Sequence, residues 1–293
     1  MKIPILAANM ESVIGPTLAE VLIEAGSIPI LHRFQPLNDQ IMTIKQFPNK
    51  CFMSCGVKES ISDVLEVYDA GALGIVIDIS HGHSIMMVER IEEIKKLRPE
   101  IEIIAGNVCT AQATQDLIVA GCSAVKVNIG SGSICSTRLA TAFGNATFSS
   151  ILECAAAANI FGVPIIADGG IKTSADIVKA LCAGASSVMI GKLFASTDEA
   201  NCQREGRNYR GQASKSFMTD FYAPGEKIGV APEGEDFFVK GTGSARDLIE
   251  TLAGGLRSGL TYAGAMNLQE LRDKAKFVRV APGYILESRI RPD

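Results

Sequence analysis

The chain is expected to be an α/β protein that closes into a (β/α)8 barrel of the TIM type, with a long active-site flap after the eighth strand. Short β-branched runs alternate with longer amphipathic segments along most of the sequence. The runs are apolar throughout rather than alternating, as strands covered on both faces of a parallel sheet must be. Eight such units are found, the number that closes a barrel; an open doubly wound sheet is the alternative. A length of 293 residues suits one barrel with added segments, so a single domain over 1–293 is expected.

The strand-like runs are residues 3–8, 27–33, 50–57, 73–79, 102–108, 124–129, 163–168 and 187–191. Helix-like patterns lie between them at 16–25, 61–70, 84–97, 111–120, 148–161 and 174–183. Gly26, Gly71, Gly121 and Gly184 follow four of these helices, where glycine readily ends a helix before the next strand. Residues from about 196 to 241 carry little periodicity and many Gly, Pro, Ser and Asp residues. An irregular stretch of this length in a compact domain reads as a lid or binding loop. Residues 245–255 then read as the eighth helix, and 277–293 as a short strand followed by an extended arm.

Composition narrows the function. Hydrophobic residues make up 47% of the chain, enough for a large core, and the net charge is −4. With no basic stripe, a nucleic-acid partner is not expected. No apolar run reaches the roughly 18 residues of a membrane span, and the first residues lack the apolar stretch of a signal peptide. The expected location is the cytoplasm. The eight cysteines are dispersed with no C-x-x-C pair, which argues against structural zinc and for small buried side chains.

Cys135 is the exception. It stands in Gly130-Ser131-Gly132-Ser133-Ile134-Cys135-Ser136-Thr137-Arg138, immediately after the apolar run that ends at Ile129. Backbone N–H groups and Arg138 are expected to make the thiol's surroundings electropositive, which favours thiolate and covalent attack on an electrophilic carbon. Barrel sites are built from the C-terminal ends of strands. Here those ends carry Asn9-Met10-Glu11-Ser12, His32-Arg33-Phe34, Asp78-Ile79-Ser80-His81-Gly82-His83, Gly106-Asn107, the Cys135 loop, Asp168-Gly169-Gly170 and Gly191-Lys192. All three histidines, His32, His81 and His83, fall at this face. His81 and His83, two apart on a loop, leave a metal site open as a lesser reading. Asp168-Gly169-Gly170 and Gly191-Lys192, after strands seven and eight, form a phosphate-site pattern in which glycines let backbone N–H groups approach an anion.

Together these segments resemble the IMP dehydrogenase/GMP reductase family, in a form without the paired CBS regulatory module. The cysteine loop looks like that family's G-x-G-x-x-C-x-T-R catalytic loop. Ala167-Asp168-Gly169-Gly170-Ile171, Met189-Ile190-Gly191 and Tyr209-Arg210-Gly211 look like its nucleotide-binding segments. The resemblance runs from about residue 3 to the C-terminus. It implies that Cys135 attacks C2 of a purine nucleoside monophosphate (IMP/XMP or GMP), with hydride passing between C2 and a nicotinamide. Thr137 and Glu233 would handle the proton of water or ammonia, with Tyr222 beside them. Asp168, Gly169, Gly170 and Gly191 would hold ribose and phosphate. Tyr209, Gly211, Gln212 and Ala213 would hold phosphate and base, joined by Met10, Ser133 and Lys192. The cofactor, NAD (or NADP in a reductase), would meet Asp78, Asn107, His32 and Ser80. A potassium ion would lie on the carbonyls of Gly130, Gly132 and Cys135. Glu287 and Ser288 of a neighbouring subunit would complete its shell in a homotetramer.

The sequence departs from the family in places. Residues 36–50 pass straight on to the third strand, with no regulatory module between, and the chain begins almost at strand one, without the family's N-terminal lead-in. Lys192 replaces a small hydroxyl residue, and Gln212-Ala213 replaces a Met-Gly pair. The flap position of the dehydrogenases' Arg-Tyr pair holds Phe221-Tyr222. Leu31-His32-Arg33-Phe34-Gln35-Pro36, the Asp78–Ser84 segment and the missing arginine favour a GMP reductase. Gly254-Gly255-Leu256-Arg257-Ser258, Phe277-Val278-Arg279-Val280, Glu287-Ser288 and the flap end Lys227-Ile228-Gly229-Val230-Ala231-Pro232-Glu233-Gly234 favour an IMP dehydrogenase. The dehydrogenase is preferred because the flap end and the cation-site tail serve hydrolysis. A non-catalytic nucleotide-binding protein on a degenerate barrel is the alternative from another class.

Overall fold

A computed structural model describes residues 1–202, 206–222 and 230–288 of the chain. Eight strands make one parallel sheet: β1 Ile5–Ala7, β2 Ile30–Leu31, β3 Phe52–Cys55, β4 Gly74–Asp78, β5 Ile103–Val108, β6 Ala124–Val127, β7 Ile165–Asp168 and β8 Ser187–Ile190. Their order, β1-β8-β7-β6-β5-β4-β3-β2, brings β1 and β2 to the two ends of a nearly closed TIM barrel. The seam between them is joined by Lys2 N–H donating to the Gly26 carbonyl at 2.6 Å and by the Ser27 hydroxyl donating to the Ile5 carbonyl at 2.5 Å. Each expected strand is present, shortened at its ends where the chain turns into a loop.

The intervening helices are α1 Pro16–Glu24, α2 Leu37–Gln46, α3 Ile61–Asp69, α4 Ile85–Leu97, α5 Ala111–Val119, α6 Thr137–Thr141, α7 Thr147–Asn159 and α8 Ser174–Cys182. Side chains cap several of them, including Thr173 and Asp176, which close a capping box at α8. The glycines after α1, α3, α5 and α8 all take positive φ, so the expected helix stops are real. The helix α2 was not anticipated. Its single buried residue, Ile44, leaves too little apolar periodicity to announce it.

Two apolar clusters divide the core. One lies between the strands and their helices; the other fills the barrel with Leu6, Ala8, Ile30, Phe52, Val76, Ile104, Ala124, Ile166 and Met189. Because successive strand residues face opposite sides, the residue two beyond each of these also faces inward. Two beyond Val76, Ala124 and Ile166 stand Asp78, Lys126 and Asp168, so the barrel interior turns polar at its C-terminal end.

Beyond β8 come α9 Lys192–Ala195, β9 Asn208–Arg210, α10 Lys215–Phe221 and β10 Asp236–Phe238, with β9 and β10 paired antiparallel. The expected flap therefore contains regular elements that are too short to leave a period in the sequence. Of its reactive-end segment, 227–229 lie outside the described residues. The chain continues as α11 Ala245–Tyr262, α12 Leu268–Lys274 and α13 Gly283–Glu287. The expected stop at Gly255 is overturned. A Cβ there would collide with the Ser174 side chain, and one at Gly259 would lie 2.9 Å from Val178, so these glycines let α11 continue flush against α8. The expected strand at 277–280 is also absent. Phe277 packs its ring on Phe148 at 4.7 Å while Val278 and Val280 stay exposed, and an unpaired segment has no ladder to make it a strand. The expected arm becomes α13 up to Glu287, and 289–293 lie outside the described residues. No helix among the described residues is long and apolar enough to cross a membrane.

His32 follows β2 and is buried, its Nδ1 without a hydrogen-bond partner among the described residues. Burial lowers its pKa from 6.5 to about 4. A proton then binds the unfolded chain more readily than the folded one between those values, so stability is full above pH 6.5 and falls as pH drops toward 4. The loss attributable to His32 is about 3 kcal/mol at ~1.4 kcal/mol per unit. Denaturant unfolding of the wild type and His32→Gln across this window measures it; the variant is expected to show the flatter acid limb.

Candidate active site

A cavity of about 400 Å³ opens at the C-terminal end of the barrel, within the size range of small-molecule sites. Its wall carries the cysteine loop after β6 and the flap segment around Glu233. These two segments are paired as backbone. Cys135 and Gly234 form an antiparallel bridge. Glu235 N–H donates to the Ile134 carbonyl at 2.8 Å, and Ser136 N–H to the Glu233 carbonyl at 3.1 Å.

That pairing assembles a chain of side chains from residues 98 positions apart or fewer in sequence. Cys135 Sγ lies 3.1 Å from Thr137 Oγ1, and the Thr137 hydroxyl donates to Glu233 Oε2 at 2.9 Å. A hydroxyl has one proton to give. With that proton on Glu233, Thr137 is left to accept from the thiol, which opens a path for a proton from sulfur to carboxylate.

Arg138 bonds the backbone of its own loop. Its Nε donates to the Ile129 carbonyl at 2.9 Å and its Nη2 to the Asn145 carbonyl at 2.6 Å, so the guanidinium braces the loop from beneath. The Asp168-Gly169-Gly170 turn presses on the same loop. Ser131 Oγ donates to the Asp168 carbonyl at 2.6 Å. Gly169 has φ +78°, and a Cβ there would stand 2.6 Å from Ser131 Oγ.

At the floor, Lys126 Nζ lies 2.8 Å from Asp78 Oδ1 and 3.2 Å from Asp168 Oδ2. Burial alone would lower the pKa of this ammonium, but the Asp168 and Asp78 carboxylates outweigh it and hold the pKa above its ordinary value. Asn9 Nδ2 donates to Asp78 Oδ2 at 3.0 Å, and Asn107 Nδ2 to Asp168 Oδ2 at 2.9 Å. Lys126 was missed from the sequence. A lone lysine in an apolar strand, two residues after the inward Ala124, was the available signal.

Most of the residues singled out from the sequence meet here. Met10, Asp78, Ser80, Asn107, Gly130 and Gly132 line the cavity, as do Cys135, Thr137, Asp168, Gly169 and Tyr209. So do Gly211, Gln212, Ala213, Tyr222 and Glu233. Tyr209 is buried, which raises its pKa to about 12, and its hydroxyl bonds Ser133 and the Met10 sulfur, the latter at 3.9 Å. Gly191 lies under that hydroxyl, since a Cβ there would be 2.5 Å from it. Gly170 and Lys192 are exposed and lie outside the lining. Glu287 and Ser288 belong to the tail, away from the lining.

The three histidines part company. His32 sits buried off the cavity, His81 stacks edge-on to Phe143 at 5.3 Å, and His83 Nε2 pairs with Asp116 at 2.8 Å. Among the described residues no three His, Cys, Asp or Glu side chains gather as a metal site.

The flap is held to the barrel by side chains. Phe34, at the end of β2, meets Phe217 at 4.7 Å and Phe221 at 5.4 Å between ring centres. Arg210 joins Glu11 at 3.2 Å and Asp220 at 2.5 Å. Phe221 is thus engaged in an aromatic cluster, and the next residue, Tyr222, lines the cavity.

Two outcomes follow from this geometry. Burial raises the pKa values of Cys51 and Cys122 to about 12 and of Cys154 to about 11, and it raises those of Cys55, Cys109 and Cys182. Limited alkylation at pH 7.5 followed by peptide mass spectrometry is expected to label Cys135 first. Gly169→Ala is expected to destabilise the fold by about 1–2 kcal/mol in thermal unfolding, because alanine strains at positive φ. It should also alter the labelling rate of Cys135, since the displaced Ser131 belongs to the cysteine loop.

A family model described as the IMP dehydrogenase / GMP reductase domain matches residues 1–291. The inosine-5'-monophosphate dehydrogenase of Aquifex aeolicus (strain VF5) is 42% identical over 271 residues, covering 85% of this chain and 55% of that protein. The protein of the same name from Halalkalibacterium halodurans is 38% identical over 312 aligned positions, covering 95% of this chain and 64% of its own length. That of Nitrosopumilus maritimus (strain SCM1) is 41% identical over 249 residues, covering 80% and 52%. The chain thus spans between about half and two thirds of the length of these curated relatives. With the family model covering almost every residue around a cysteine loop set at the strand ends of a barrel, the chain belongs to the IMP dehydrogenase / GMP reductase domain family.

Proposed function

We propose that this chain oxidises IMP to XMP with NAD⁺ and water, through a covalent bond between Cys135 and C2 of the purine. The observation that carries the reading is the Cys135–Thr137–Glu233 chain of 3.1 and 2.9 Å contacts on the wall of a nucleotide-sized cavity. The named relatives, all inosine-5'-monophosphate dehydrogenases, support it.

Thr137 takes the thiol proton and passes its own to Glu233, and the thiolate sulfur forms a bond to C2. A hydride then leaves C2 with its electron pair. Water then adds to C2 and gives a proton to the Thr137–Glu233 pair, while the departing sulfur takes back the thiol proton the pair had held, completing XMP; Tyr222 orients the water. Phe221, at the position of the arginine in the dehydrogenases' Arg-Tyr pair, is committed to the aromatic cluster instead.

The remaining roles follow position. Asp168 accepts ribose hydroxyls, and Gly169, Gly170, Gly191, Ser133, Tyr209 and Lys192 surround the phosphate. Met10, Gly211, Gln212 and Ala213 border the base. Asp78, Ser80 and Asn107, at the ends of β4 and β5 on the same cavity, fit a nicotinamide, since a carboxylate suits a cationic ring. NAD⁺ supplies the hydride acceptor when bound.

Potassium fits the carbonyls of Gly130, Gly132 and Cys135, which are hard oxygen donors. Glu287 and Ser288 would complete that shell from another copy, making the tail an intersubunit arm of a homotetramer. All of this is placed on one barrel domain with its flap and arm, in the cytoplasm.

A GMP reductase uses the same covalent step, and Phe221 in place of the arginine of the Arg-Tyr pair is the observation that favours it. Absorbance of the nicotinamide separates the two. Protein with IMP, NAD⁺ and potassium is expected to show rising absorbance; a fall with GMP and NADPH instead would assign the reductase. Cys135→Ala is expected to abolish turnover, and Glu233→Gln to lower kcat by about 10²–10⁴. Full turnover in the alanine variant would sink the covalent mechanism.

A further inference from the structure

Lys126 takes no part in the chemistry above, yet it is the most unusual residue of the barrel interior. It is 2% exposed. A buried ammonium is tolerated only where partners replace its lost water. Its three protons find three oxygens: Asp78 Oδ1 at 2.8 Å, Asp168 Oδ2 at 3.2 Å and Asn9 Oδ1 at 3.2 Å. Asn9 in turn donates to the other oxygen of Asp78 at 3.0 Å, which closes a ring of contacts.

The two carboxylates come from different strands. Asp78 ends β4, two residues before Ser80, while Asp168 ends β7, beside the glycine turn that presses on the cysteine loop. One nitrogen holds both.

We propose that Lys126 is a positioning residue for the whole site: its single ammonium balances and aims two carboxylates, one for each ligand. This rests on the proposed function for the identity of the ligands. The charge balance itself needs only the ring of contacts. With Lys126 in place, the floor carries one net negative charge and each carboxylate meets its ligand as an ionised acceptor, the stronger kind. Without it, two carboxylates that both reach one nitrogen's place would face each other, and such pairs share a proton. The charged groups facing Lys126 are Asp78 from β4 and Asp168 from β7. Its other contacts, Asn9 and the Met189 sulfur at 3.8 Å, carry no charge.

The test is calorimetric titration of IMP into the wild-type chain, Lys126→Met and Lys126→Met/Asp78→Asn, without dinucleotide, from pH 6 to 9. The single variant is expected to bind IMP about tenfold or more weakly at pH 7, the scale of a charged hydrogen bond. Its affinity should also follow pH differently from the wild type. Removing the second carboxylate should restore affinity to within about threefold. A merely structural lysine predicts no such rescue. Wild-type affinity in the single variant, or a loss that the double variant does not relieve, overturns the proposal.

If the single variant does not fold, the double variant is compared with Asp78→Asn, and a tenfold or greater difference between them overturns it. If the wild type itself does not bind IMP, the proposed function fails, and the charge balance is then read without ligand. A ¹³C aspartate titration should show a carboxyl proton retained to higher pH in Lys126→Met than in the wild type. Its absence from the variant overturns the proposal.

Discussion

The alternation of side chains along a strand is the constraint from which the rest of this molecule follows. In a nearly closed barrel one face of each strand must point inward, and only a few layers of side chains fit there. The lower inward positions are filled by Leu6, Ile30, Phe52, Val76, Ile104 and Ile166. Toward the C-terminal end, the same faces carry Asp78, Lys126 and Asp168. The apolar layer seals the bottom of the barrel from water. The polar layer becomes the floor of a cavity whose carboxylates are paired with one shared ammonium. Site and core are therefore one stack of side chains, read at different heights.

Above this floor the site depends on backbone pairing between segments distant in sequence. Cys135 stands after β6 and Glu233 after β9, and neither would meet the other without the bridge from Cys135 to Gly234. The flap reaches that position because its own anchors lie elsewhere: Arg210 on Glu11 and the cluster of Phe34, Phe217 and Phe221. These anchors draw on the ends of β1 and β2, so the rim of the barrel opposite the cysteine loop fixes the carboxylate beside it. Phe221 is part of that anchoring. An aromatic ring there strengthens docking of the flap at the position where a charged side chain would be held in apolar company.

Regular structure was legible where the physics is local. Eight apolar runs announced eight strands, and the glycines after α1, α3, α5 and α8 announced helix ends, because each signal comes from a few adjacent residues. It failed where tertiary contact overrules the local preference. Gly255 reads as a stop, but α11 runs through it because the smallest residue is what close packing against Ser174 requires. The run at 277–280 reads as a strand, but a strand needs a neighbour, and Phe277 finds Phe148 instead.

The same division holds at the site. The sequence alone determined the barrel, the cysteine in its glycine-rich loop and most of the cavity's lining, since strand ends in a barrel converge whatever their distance along the chain. Only the tertiary structure decided that Arg138 braces the backbone of its loop, and that His32, His81 and His83 go to three separate places. It alone showed one buried lysine shared by two carboxylates. Those outcomes depend on side-chain direction and on which partner lies within about 3 Å, and residue order does not encode distance.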